Sequence, residues 1–90
     1  MPQVVRAHAF ELVDASGQVR SLLNIEESGE AVFRLRSQDG EIRVKIGASD
    51  DGSGLLLIDD ATEPGVHMLA QRDGTLIKLR ADGEENIITP

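Results

Sequence analysis

"EIRVKIGASDDGSGLLLI", residues 41 to 58, carries the two signals on which the fold turns. In its first half Ile42, Val44 and Ile46 alternate with Glu41, Arg43 and Lys45, so an extended chain would present one apolar and one charged face. That is the pattern of a half-buried strand. The middle, "SDDGSG" at 49 to 54, is either a metal loop or a chain reversal. A calcium loop of the EF-hand kind spaces its ligands as D-x-[DN]-x-[DN]-G with a glutamate beyond. Asp50, Asp51 and Gly52 lack that spacing, so a turn is expected and no metal ligand is assigned.

Outward from this stretch the same plan recurs. Polar clusters containing glycine stand at 14–17, 26–30, 37–40, 49–54, 59–65, 71–74 and 81–85, with strand-length segments between them. Val19, Leu23 and Ile25, Ala31, Phe33 and Leu35, and Ile77 and Leu79 repeat the alternation. Aspartate precedes glycine at 39–40, 51–52, 73–74 and 82–83, a pair that tolerates the positive backbone dihedrals of tight hairpin turns.

The turns are periodic. Gly17 and Gly40 lie 23 residues apart, as do Gly29 and Gly52, and Leu12, Leu35 and Ile58 share the spacing. "FELVDASGQVRSLLNIEESGE" thus matches "FRLRSQDGEIRVKIGASDDGS" in plan; a third copy, "LLLIDDATEPGVHMLAQRDGT", is expected to lengthen its first turn around Pro64, and a last one is short. Self-similarity of this kind indicates repeating units that cannot bury their faces alone. "FELVDASGQVRSLL" and "RLRSQDGEIRVKIG" resemble the hairpin units of uncharacterised bacterial short-repeat β proteins, a resemblance over nearly the whole chain that rests on turns and alternation and implies no activity.

The expected fold is one all-β domain over residues 1–90, an antiparallel meander of about eight short strands at 5–13, 18–25, 30–36, 41–47, 54–59, 65–71, 75–81 and 86–89. Helix propensity offers a short helix over 18–28 as the alternative for the second strand. The meander is expected to roll into a sheet or small barrel, to fold as a sandwich, or to form an oligomeric β-prism. Phe10 and Phe33 are the only aromatic residues, too few to fill a small barrel easily, which favours assembly.

Composition narrows function. A 90-residue chain buries only about 60% of the surface its unfolded form exposes, and this one has no cysteine for a disulfide and only two histidines for a zinc site. Good packing or self-association is the remaining remedy. No secretory h-region and no membrane-length apolar run stand in the chain, so a cytoplasmic protein with no membrane contact is expected.

Of nine basic residues, eight (Arg6, Arg20, Arg34, Arg36, Arg43, Lys45, Lys78 and Arg80) fall in expected strands, while the acids gather in turns. Arg20, Arg34, Arg36, Arg43 and Lys45 would form an anion-binding face. The net charge of −7 and the lack of interleaved aromatics argue against nucleic acid. A solvated sheet face whose basic stems cover apolar surface is the plainer reading.

His8 with Glu11, or His67 with Asp60, would be needed for acid–base work, but nothing in sequence brings them together. The paired acids at 26–27, 50–51, 59–60 and 84–85 would point to opposite faces of a strand. No catalytic residue and no cofactor are therefore assigned. "LLLI" at 55–58 and "VHML" at 66–69 break the alternation and need cover on both faces. Leu55, Leu57, His67 and Leu69 are accordingly placed at a subunit contact, with three subunits expected and a non-enzymatic structural or interaction module as the function. A small-molecule-binding β-barrel or cleft is the alternative.

Overall fold

The computed structural model describes residues 3–90. Eight strands, β1 (Ala9–Val13), β2 (Val19–Ile25), β3 (Ala31–Arg36), β4 (Ile42–Ser49), β5 (Gly52–Ile58), β6 (Pro64–Gln71), β7 (Leu76–Ala81) and β8 (Glu84–Ile88), pair antiparallel in chain order in a single sheet. Among the described residues there is no helix, and residues 19–25 are strand rather than the helical alternative. The first strand starts later than residue 5 because its partner runs out: Ala9 faces Asn24, and after Ile25 the β2 chain turns away. Arg6 therefore precedes the sheet.

The sheet does not close, so the barrel expectation is overturned. β1 and β8 remain free edges. Both carry acid and no base of their own, Glu11 on β1 and Glu84 and Glu85 on β8, with Glu85 paired to Lys78 of β7 at 3.8 Å. Nor is there a second sheet to make a sandwich within the chain.

Four connections share one turn. Asp14 N donates to Gln18 O and Gly17 N to Asp14 O, both at 3.0 Å, and the same two bonds recur at Glu26–Glu30, Ser37–Glu41 and Asp59–Glu63. Each is a three-residue loop that ends in a left-handed residue: Gly17 (φ 91°), Gly29 (φ 92°), Gly40 (φ 89°) and, in the fourth, Thr62 (φ 60°). The turn before Pro64 is thus no longer than the others, contrary to expectation; Pro64 opens β6 instead. What holds a β-branched residue there is Asp59, whose Oδ1 accepts from Ala61 N at 2.9 Å and Glu63 N at 3.0 Å. Asp14 Oδ1 does the same for Ser16 N and Gln18 N.

"SDDGSG" is a reversal. Ser49 pairs with Gly52 across a two-residue loop, and Ser49 Oγ accepts from Asp51 N and donates to Gly52 O. Gly52 (φ 152°) lies so close to β6 that a Cβ would collide with the Ala70 carbonyl oxygen. Asp82 (φ 52°) and Gly83 (φ 78°) form the only two-residue turn among the described residues with both dihedrals positive. Register shifts follow Leu12, Leu35 and Leu57, each just before one of the shared turns.

Register carries each strand's alternation across the whole sheet. One cross-strand row reads Phe10, Leu23, Phe33, Ile46, Leu55, Met68, Ile77 and Ile88. The next on the same face reads Leu12, Ser21, Leu35, Val44, Leu57, Val66, Leu79 and Asn86. No charged side chain interrupts either row. Nothing packs on them: Phe10 is 45% exposed, Leu23 43%, Ile46 44%, Met68 39% and Ile88 53%. Among the described residues the one large side chain that is fully buried, Val32, lies on the opposite face between Asn24 and Gly47.

Replacing Thr62 with Gly removes a strained β-branched residue and should raise stability by ~0.5–1 kcal/mol, after the extra chain entropy of glycine is counted. Gly52→Ala should do the reverse, lowering stability by ~2 kcal/mol or more through the clash with Ala70. Urea unfolding of both variants at one protein concentration checks the pair.

Candidate functional site

The charged face is built from the alternate positions. Its central row is Glu11, Leu22, Arg34, Lys45, Leu56, His67, Lys78 and Ile87, with Arg34 directly opposite Lys45. Arg20, Arg36 and Arg43 stand two residues from members of that row, so the five residues of the expected anion-binding face do share one side of the sheet.

Four of the five already have partners. Arg20 pairs with Asp14 at 3.6 Å and its Nε donates to Arg36 O at 2.8 Å. Arg34 pairs with Glu26 at 2.5 Å, and Arg43 with Asp39 at 3.5 Å while also donating to Asp59 O. Arg36 donates to Gly40 O at 2.9 Å. In the three ion pairs the carboxylate lies in the turn that precedes the arginine's own strand. The arginines therefore fasten turns to the sheet, and their guanidinium groups are committed before any external anion arrives.

These contacts mark the acids. Asp14 is held below the usual carboxylate range by the Ser16 hydroxyl, the Gln18 amide and, more weakly, Arg20. Asp39 is lowered by the Ser37 hydroxyl, then the Glu41 amide and Arg43. Glu26 is lowered chiefly by Arg34. All three favour the charged form in the folded state.

A groove of about 180 Å³ crosses the charged face, lined by Glu30, Lys45, Gly47, Gly54, His67 and Gln71 among others. Gly47 faces Gly54, and the Glu30 carboxylate occupies the space where a Gly47 side chain would go. Asn24 Oδ1, in the neighbouring row position beyond Val32, is buried with no hydrogen-bond partner.

Of the residues expected at a subunit contact, Leu55, His67 and Leu69 all border the groove by Gly47 and Gly54, but the four side chains are divided between the two faces of the sheet. Leu55 and Leu57 lie on the apolar face, whereas His67 and Leu69 lie on the charged face, His67 between Leu56 and Lys78 and Leu69 between Gly54 and Leu76. The reason is the period of two: Leu55 faces Met68, so His67 and Leu69 on either side of Met68 must point away. His8 and His67 stand on β1's approach and on β6, with four strands between. No group of three His, Asp or Glu able to hold a metal occurs among the described residues.

The expected contact set held only Leu55 of this exposed apolar row, whose other members beside Met68 are Phe10, Leu23, Phe33, Ile46, Ile77 and Ile88. Spacing carried a signal for them: Phe10, Phe33, Leu55 and Ile77 are one repeat apart in succession, as are Leu23, Ile46 and Met68. At the β5–β8 end this face forms an apolar hollow of about 620 Å³ lined by Leu55, Met68, Ile77, Ile88 and neighbours.

No protein-family model matches the chain, and no curated protein or solved structure matches it either.

Because the depressed pKa values belong to carboxylates, the stability they contribute is present above the unfolded values near pH 4 and is lost as pH falls through the lower folded values. Acid titration of unfolding should therefore show a loss that begins below about pH 4.5 and continues beneath the ordinary carboxylate range. Asp14→Asn should lower the melting temperature at pH 7 and flatten that acid-side slope.

Proposed function

We propose that this chain is a non-enzymatic structural or interaction module that works as a homo-oligomer of three subunits, built on a hairpin repeat of 23 residues. The observation that carries the reading is the uncovered apolar face. Domains bury such a face beneath a second layer, and here one chain supplies a single layer only.

The overall dimensions support it. A 9.7 kDa monomer ordinarily exposes about 5,100 Å², whereas this chain exposes 7036 Å². Its radius of gyration is 15.5 Å, against about 12 Å for a self-contained domain of 90 residues. For the repeat, the support is the recurrence of one turn at 14–18, 37–41 and 59–63, each with a register shift just before it. The commitment of the arginines to turn carboxylates favours a structural role over anion capture.

The hollow over Leu55, Met68, Ile77 and Ile88 supports a second reading, a cleft for a small apolar molecule. The two part at the first measurement, absolute mass by light scattering behind size exclusion. A trimer that persists at high salt is expected; a monomer at all concentrations would remove the oligomer and leave the cleft, to be probed by thermal shift with fatty acids and apolar dyes.

A further inference from the structure

We infer that the apolar face is covered by the apolar faces of other copies of this chain, which leaves the charged face outward and both edge strands free. The inference rests on the homo-oligomer reading and specifies the surface that makes it. Area comes first. The excess of about 1,900 Å² over an ordinary monomer of this mass is an upper bound on what each chain hides, since residues 3–8 precede the sheet and are exposed, and three such chains would bury up to about 1,900 Å² in total per pair, the size of a standard interface.

The chemistry of the face selects its occupant. Two rows that run across all eight strands offer no charge and only Ser21 and Asn86 as polar groups, so nothing there would recognise a specific foreign partner by ion pair or directed hydrogen bond. An identical face is complementary to it and is present at the chain's own concentration. Stacking it on the charged face of another copy would instead bury Arg34, Lys45 and Lys78 against hydrocarbon, a costly arrangement.

The edges point the same way. β1 and β8 are the shortest strands, five residues each, and carry Glu11, Glu84 and Glu85 with no basic residue. Edge-to-edge pairing of copies with a net charge of −7 would set acid beside acid. Bringing the apolar faces of the copies together around one axis keeps those acids, and the acidic turns, at the solvated rim.

Because the chain has no cysteine, single thiols report cover directly. Met68→Cys samples the apolar face, Lys78→Cys the charged face and Glu11→Cys an edge, each in the full chain with its sheet content checked by circular dichroism and its mass by light scattering. In the oligomer, Met68→Cys should react with a maleimide more than about tenfold slower than Lys78→Cys and Glu11→Cys, and should lose that protection in urea. Met68→Lys should dissociate the oligomer while Lys78→Glu leaves it intact. An oligomer in which Met68→Cys reacts freely and Glu11→Cys is protected would overturn the inference yet keep the homo-oligomer reading. A monomeric parent chain would remove both.

Discussion

Alternation with period two, held in register across eight strands, is the constraint on which everything else in this structure depends. It sorts the side chains so completely that one face has two rows without a charge and the other has Arg34, Lys45 and Lys78 in a single row. A slip of one residue in any strand would move its apolar set to the charged side. Register is therefore as important to this chain as burial, and burial within the chain is slight: among the described residues Val32 is the one large fully buried side chain.

Turn chemistry is what holds that register. The three-residue loops that end in a left-handed residue admit one pairing each, and the aspartates at 14 and 59 fasten them by accepting two backbone N–H groups apiece. Arginines on the following strands return to Asp14, Glu26 and Asp39, so that the first three reversals are tied to the sheet by charge as well as by backbone bonds. Single exposed ion pairs contribute little, but repeated at successive turns they oppose slippage where no core is available to do so. The turn acids Asp14, Glu26 and Asp39 and the arginines on the sheet are thus parts of one device.

The open meander offers flat rows of side chains with neighbours fixed by strand spacing. The glycine-floored groove by Gly47 and Gly54 is the nearest approach to a cleft on the charged face, and Glu30 already fills part of it. The larger hollow belongs to the apolar face and is continuous with the surface that needs cover.

The eight strands and their meander order were legible from alternation, turn residues and the 23-residue spacing, although the length of the turn before Pro64 and the start of the first strand were not. Alternation at Ile42, Val44 and Ile46 and the Asp-Gly pairs report on backbone geometry over a few residues, where propensity and sterics decide the outcome. Thr62 escaped notice because it takes a dihedral that the other three turns assign to glycine, and a side-chain clamp from Asp59 rather than intrinsic preference holds it there. The pairing of Leu55 with Met68, which sends Leu55 and Leu57 to one face and His67 and Leu69 to the other, was decided by the tertiary structure, since which residues oppose each other depends on loop length and register shifts summed along the chain. So was the open sheet: both closed and open forms satisfy the same local pattern, and whether the two end strands meet depends on twist and curvature accumulated over all eight strands, which no short stretch of the sequence contains.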